Sequence, residues 1–335
     1  ITFMGRLSKD KRDVFYRRAK EQGYRARSAY KLLQIDSEFN LFQQNDTDDA
    51  GHAPLDTSSC TTSQPIIGLP VHRAVDLCAA PGSWSQVLSD KLLKGGVEDD
   101  NEGPKIVAVD LQPMAPLPGV TCLQGDITSL KTAQDIISHF KGRRAELVVC
   151  DGAPDVTGLH DMDEYIQGQL LFSAANITTH VLCEGGSFVA KIFRGRDVGL
   201  LYTQLRLIFN KVSVAKPSSS RNSSIEAFVV CQGFKGGQYF DLPLEGGFDP
   251  DISGIGGLRS EATTDSDGFV IPSIVPFVAC GDLSGYVAPV GGVDFLDSDK
   301  SYPLDEDHVE PIMMPIRPPY EASIAKAKEA RQQNA

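Results

Sequence analysis

Between residues 73 and 232, short apolar runs of strand length alternate with stretches whose apolar residues recur at helical spacing. The runs cover 74–78, 105–110, 120–123, 146–150, 187–192, 211–215 and 225–232; the helical stretches lie near 83–93, 131–140, 163–183 and 197–208. This alternation predicts an α/β domain: a doubly wound, mostly parallel, seven-stranded sheet with helices on both faces. The first crossing is the most informative. The run from Ala74 to Cys78 breaks at Pro81-Gly82, and Ser83 to Leu93 resumes at helical spacing. A strand, a tight glycine turn and a helix N-terminus make a cradle of backbone N–H groups suited to a nucleotide-like ligand.

Two helices are expected ahead of this domain, one ending at Lys20 before Gly23 and one from Arg27 to about Phe39. They give a basic N-terminal unit over 1–40, a flexible insertion over 41–68, the α/β domain over 69–235, and an irregular acidic extension over 236–335. A second loop insertion is read near 95–103. The net charge of −12 conceals a strong asymmetry. Residues 1–31 hold ten Lys and Arg against three acids, whereas 236–335 hold six against 17. Averaged, the chain is unfit for nucleic acid; taken in pieces, it has a basic head, although charge runs are often only solvated faces. No apolar run has the length of a membrane span, and the opening Ile1-Thr-Phe-Met-Gly-Arg6 lacks an apolar signal core. Seven cysteines, none spaced as C-x-x-C, point to reduced thiols, a cytosolic or nuclear compartment and no metal site.

The cradle lacks the several glycines that let a backbone approach a pyrophosphate; only Gly82 is present. A single-glycine turn with an acid ending the next strand suits S-adenosylmethionine better than a nicotinamide dinucleotide. Three acids fall at strand ends, on the edge where open α/β sheets bind ligands. Asp110 ends Ile106-Val-Ala-Val-Asp110 and is placed to take both ribose hydroxyls of an adenosine. Asp126, in Gln124-Gly-Asp-Ile-Thr128, is placed for the adenine amino group. Asp151 ends Leu147-Val-Val-Cys-Asp151. A lone Asp after a strand is commonly a turn former, but three in register with Pro81-Gly82 argue for a site. Trp84, beside Gly82 at the helix start, is expected to line the pocket.

Two later strands each carry a charge that a buried strand normally excludes: Lys191 in Gly186-Ser-Phe-Val-Ala-Lys-Ile-Phe193 and Glu226 in Ser223-Ser-Ile-Glu-Ala-Phe-Val-Val230. A structural ion pair is the plain alternative to a reactive one. With Lys31, in Ser28-Ala-Tyr-Lys-Leu-Leu33, and Asp151, they resemble the Lys-Asp-Lys-Glu tetrad of FtsJ-type RNA 2′-O-ribose methyltransferases. Asp76-Leu-Cys-Ala-Ala-Pro-Gly-Ser-Trp-Ser85 is similar to that family's cofactor loop. The resemblance runs roughly from Met4 to Gln232 apart from the two insertions. It implies a Rossmann-like S-adenosylmethionine-dependent methyltransferase fold, with the four charges converging on a ribose.

Within the family the chain resembles the eukaryotic cytoplasmic tRNA branch. The likeness is carried by Met4-Gly-Arg-Leu-Ser-Lys-Asp-Lys-Arg-Asp13, Arg25-Ala-Arg-Ser-Ala-Tyr-Lys31, Asp151-Gly-Ala-Pro-Asp-Val-Thr-Gly-Leu-His160, Ala190-Lys-Ile-Phe-Arg-Gly-Arg196 and Lys216-Pro-Ser-Ser-Ser-Arg-Asn222. Outside the catalytic fold it is carried by Val275-Pro-Phe-Val-Ala-Cys-Gly-Asp-Leu-Ser284 and, after an interruption at 286–296, by Asp297-Ser-Asp-Lys-Ser-Tyr-Pro-Leu304. That likeness implies methylation of tRNA anticodon-loop riboses, cytoplasmic location, and non-catalytic partner proteins, one of them built of WD repeats.

On this reading Lys191 is the general base, with burial and the second cation Lys31 favouring its neutral form and Asp151 and Glu226 opposing it. Phosphate contacts are assigned to Lys9, Lys11, Arg12, Arg17, Arg18, Arg25 and Arg27, with Arg194, Arg196 and Arg221 nearer the site. Some of these arginines are equally suited to pairing with neighbouring helix acids. The alternatives are an rRNA or mRNA-cap 2′-O-methyltransferase, a non-catalytic RNA-binding scaffold, and a nicotinamide-dependent oxidoreductase.

Overall fold

The computed structural model describes residues 13–42, 69–93, 105–154, 159–195, 198–242 and 275–281. Lys9, Lys11, Arg12 and Arg196, residues 43–68 of the first insertion, the insertion near 95–103 and the interruption at 286–296 lie outside the described residues.

The eight strands are β1 (Ala74–Leu77), β2 (Ile106–Asp110), β3 (Val120–Gln124), β4 (Ala145–Cys150), β5 (Leu182–Phe193), β6 (Phe209–Pro217), β7 (Glu226–Phe234) and β8 (Phe277–Cys280). They form one sheet in the order β3-β2-β1-β4-β5-β7-β6-β8. The order reverses between β1 and β4, which opens a crevice at the strand carboxyl ends. β7 runs antiparallel to both β5 and β6, so the expected parallel sheet has one reversed member.

The sheet is covered on both sides, as the continuous burial of β1 and β4 requires. On one face α2 (Ala29–Phe39) and α3 (Ser83–Leu93) bring Leu32, Ile35, Val87 and Leu88 against Ile106, Leu147, Val189 and Phe228. On the other, α4 (Leu130–His139), α5 (His160–Val181) and α6 (Val198–Ile208) bring Ile136, Phe172, Ile177 and Leu205 against Val75, Val107, Val148 and Phe188. A further helix, α1 (Val14–Glu21), starts at Asp13, whose carboxylate accepts from Tyr16 N at 3.1 Å.

Two expectations change here. The extension beyond residue 235 is not irregular throughout: β8 joins the sheet parallel to β6, with Phe277 opposite Val214 and Cys280 opposite Pro217. Four residues of strand suffice because the sheet edge supplies the partner. Trp84 does not present its ring to the cleft. It is 2% exposed, its ring centroid lies 5.6 Å from that of Phe228, and its Nε1 donates to Ser28 O at 2.8 Å. The indole is the pin between α2 and α3, and what the residue leaves for a ligand is its backbone in the first turn of α3. Trp84→Phe is expected to cost about 1–2 kcal/mol through the orphaned Ser28 carbonyl, and Trp84→Ala about 3–5 kcal/mol, both measured by denaturant unfolding.

Candidate active site

Side chains alternate along a strand, so the face each charge reaches follows from its neighbours. Val189 and Phe228 face α2, and Lys191 and Glu226, two residues away on the same strands, share that face. Lys191 is registered with Phe228, which makes Glu226 its diagonal cross-strand neighbour. Cys150 is registered with Ala190 on the parallel neighbour, so Asp151 arrives beside Lys191. Lys31 comes from the docked helix α2.

The result is a chain of alternating charges. Lys191 Nζ lies 2.7 Å from Asp151 Oδ1 and 3.8 Å from Glu226 Oε2. Lys31 Nζ lies 2.7 Å from Glu226 Oε1 and 2.8 Å from Oε2. Lys191 also donates to Asp151 O at 2.8 Å, and Ser220 Oγ to Glu226 Oε1 at 2.8 Å. Both lysines are buried. Burial pushes Glu226 up, but Lys31 and Lys191, with hydrogen bonds from Lys31 and Ser220, outweigh it and hold the carboxyl down at about 2. Burial pushes Lys191 down, yet Asp151 and Glu226 prevail and leave it above its ordinary 10.5. The balance that the sequence left open thus falls to the two carboxylate neighbours, which win over desolvation.

The cradle turns at Cys78 (φ 55) and Gly82 (φ 103), between β1 and α3. Asp110 holds it open: its Oδ2 accepts from Ala80 N at 2.9 Å and its Oδ1 from Gln112 N at 2.7 Å, leaving each oxygen a lone pair for a hydroxyl. Asp126 is exposed, with Oδ1 taking Thr128 N at 2.9 Å and Thr128 Oγ1 at 2.8 Å. Pro81, Gly82, Asp110 and Asp126 thus border one crevice, and Asp151 lies between it and the lysine pair.

The cationic residues divide. Arg18 and Arg194 are exposed and Arg17 is half-buried. Arg194 Nη2 donates to Ser224 O at 3.3 Å. Arg27 pairs with Asp13 and donates to Ser219 O, and Arg221 Nη2 lies 3.4 Å from the same Asp13 carboxylate. Arg25 is withdrawn altogether: it is 8% exposed, and its guanidinium is spent on three backbone carbonyls. The phosphate contact expected of Arg25 is corrected on that ground.

Three polar residues carry roles that the sequence did not assign to them. Gln167 Nε2, buried, donates to Lys191 O at 3.0 Å and Gly152 O at 3.2 Å, fixing the backbone under the lysine. Ser220 positions Glu226. Asp76 sits fully buried beneath the cradle, its Oδ2 accepting from Ser85 Oγ at 2.6 Å and its Oδ1 without a hydrogen-bond partner. Its signal was a single acid inside an apolar strand, the same mark that betrayed Lys191 and Glu226.

The model of the FtsJ-like methyltransferase family matches residues 24–234. The chain belongs to this family. The chain is 54% identical to the human tRNA (cytidine(32)/guanosine(34)-2′-O)-methyltransferase, a match covering 99% of this chain and 89% of that protein. It is 50% identical to the enzyme of the same name from Schizosaccharomyces pombe, over 96% of this chain and 97% of that protein. The AdoMet-dependent rRNA methyltransferase spb1 of Neurospora crassa is 37% identical over 70% of this chain and 24% of its own length.

In this FtsJ-like chain burial raises Asp76 to about 7, chiefly through desolvation and against the hydrogen bond from Ser85. An unfolded aspartate titrates near 4, so between about 4 and about 7 the folded protein binds the extra proton and stability falls as pH rises. Asp76→Asn removes that slope. The difference in Tm, variant minus wild type, is expected to become more positive from about pH 5 to about pH 8 in thermal melts.

Proposed function

We propose that this chain transfers the methyl group of S-adenosylmethionine to ribose 2′-hydroxyls of the tRNA anticodon loop, at the positions 32 and 34 named in its relatives. One observation carries the reading: Lys31, Asp151, Lys191 and Glu226, drawn from four separate elements, converge on one point beside the cradle. The residues present fit the cofactor. Gly82 allows the close turn, Asp110 keeps acceptor capacity for two hydroxyls, and Asp126 offers an exposed carboxylate to an amino group. The bound sulfonium would supply an activated methyl group.

The protein's own part is placement and one proton. Glu226, ionised down to about 2, holds Lys31 and stands beside Lys191. Asp151 holds Lys191 Nζ through both its carboxylate and its carbonyl. Lys191 Nζ is assigned to take the proton of the 2′-hydroxyl, and to do so it must first lose its own. Because its pKa is raised above 10.5, the neutral amine is the minor form at neutral pH. The methylation rate is therefore expected to climb by about tenfold per pH unit toward alkaline pH, under cofactor and tRNA saturation. A flat profile would make Lys191 a positioning cation instead. Lys191→Ala is expected to abolish methylation while S-adenosylmethionine affinity, read by calorimetry, stays within about threefold of wild type.

A tRNA substrate, rather than rRNA, is favoured by the span of likeness: 96–99% of the chain for the two tRNA enzymes and 70% for the rRNA enzyme. Exposed Arg18 and Arg194 are candidates for phosphates. A cytoplasmic location and a non-catalytic WD-repeat partner belong to the same proposal, and the resemblance of the chain's opening and tail to that branch supports them. Ribose-methylation mapping of total RNA from cells with and without the protein tests substrate and position together. Loss of anticodon-loop 2′-O-methylation is expected; loss confined to rRNA would overturn the tRNA assignment.

A further inference from the structure

We propose that Arg25 is a positioning residue of the cofactor site, acting from beneath the loop rather than on RNA. The proposal rests on the reading of the cradle as the S-adenosylmethionine site.

The guanidinium joins two loops that border the crevice. Nη1 donates to Pro81 O at 2.9 Å in the turn between β1 and α3, and to Ala115 O at 2.9 Å in the loop after β2. Nη2 donates to Pro116 O at 2.9 Å. Three carbonyls from two loops 30 residues and more apart in sequence therefore share one planar, multi-donor group, a task that the point charge of a lysine cannot perform. The backbone is fixed as well: Arg25 N donates to Gln86 Oε1 at 2.7 Å, and Gln86 Nε2 returns to Gly23 O at 2.9 Å.

The same contact explains Gly82 beyond its positive φ. A Cβ there would stand 2.6 Å from Arg25 Nη1 and 2.8 Å from Met114 Sδ. The turn and the guanidinium are built to one another's surface, and a shift in either displaces the other.

The segment then continues to the reacting groups. Ser28 Oγ meets Ser83 Oγ at 2.6 Å, Ser28 O accepts from Trp84, and Lys31 reaches Glu226. Residues 25–31 thus span from the underside of the cofactor loop to the charged tetrad, and Arg25 anchors the cofactor end. In-line transfer depends on that separation, so loosening the anchor is expected to act on the cofactor side alone.

The test uses the full chain and two separate binding measurements. S-adenosylmethionine affinity is read by calorimetry without RNA. Affinity for an anticodon stem-loop RNA, and its salt slope, is read by fluorescence anisotropy. Arg25→Ala is expected to weaken S-adenosylmethionine by about 10–100-fold, as displaced positioning groups do, with RNA affinity and salt slope close to wild type. Arg25→Lys is expected to fall between the two, and added guanidinium ion to restore part of the loss in Arg25→Ala, which a general loosening of the fold would not permit. Should Arg25→Ala fail to fold, Arg25→Lys carries the same comparison, because it retains a donor for one of the three carbonyls. Unchanged cofactor affinity, or a loss of RNA affinity with a reduced salt slope and intact cofactor binding, would overturn the proposal. Wild type that binds no S-adenosylmethionine would instead sink the reading of the cradle and is told apart by the same titration.

Discussion

The buried run Asp151–Lys191–Glu226–Lys31 is the interaction on which the rest of the molecule depends. Two ammonium and two carboxylate groups leave water together, and the cost of that desolvation is met only because each cation touches an anion. Removing Lys191 would take from Asp151 its cation, and removing Glu226 would take from Lys31 its anion. Glu226 shows the balance most clearly, since two lysines and the Ser220 hydroxyl converge on a carboxyl that burial alone would push upward. This constraint reaches outward into the fold. Lys31 comes from α2, so α2 must be docked on the sheet for the charges to close, and Trp84 is what pins α2 to α3.

Electrostatic closure and the proton transfer proposed for Lys191 pull in opposite directions. The carboxylates that make Lys191 tolerable in the interior also hold its proton. A site tuned for stability would stop there. A site tuned for turnover needs the balance to shift when the reactants arrive, and the position of Asp151 allows it: its carboxylate pairs with Lys191 as an ion pair while its carbonyl accepts the hydrogen bond. A rearrangement of the carboxylate would therefore leave the carbonyl still aiming the amine.

How much of this was legible in the sequence follows from what kind of signal each residue leaves. Lys191 and Glu226 could be picked out because a charge inside an apolar strand breaks a pattern of period two. Asp76 breaks the same pattern and was passed over, because a short strand before a glycine turn was read for its turn. Lys31 leaves no such mark: a lysine on a helix is ordinarily solvated, and only the family resemblance singled it out. Arg25 was misassigned for a related reason. Its partners are carbonyls of Pro81, Ala115 and Pro116, and backbone acceptors carry no residue identity for a sequence to display. The fold itself was readable wherever strands alternate with helices; β8 was not, since four residues among glycines and acids become a strand only beside an edge that already exists.

That last strand changes what the C-terminal region is for. β8 fixes the segment that follows β6: Ser218 N donates to Cys280 O at 2.8 Å, while Gln34 Nε2 donates to Ser218 Oγ at 2.9 Å and Gln34 Oε1 accepts from Ser219 N at 2.9 Å. Ser219 O in turn receives Arg27, and Ser220 holds Glu226. A ligature therefore runs from the tail strand through 218–220 to the tetrad, with α2 clamped on its other side. The strand also covers the β6 edge, an otherwise open row of backbone donors and acceptors. Residues 275–281, within a range that composition marks as an appendage, are thus part of the wall that keeps Glu226 and Lys31 in place, and the sheet around the charges is larger than its first seven strands.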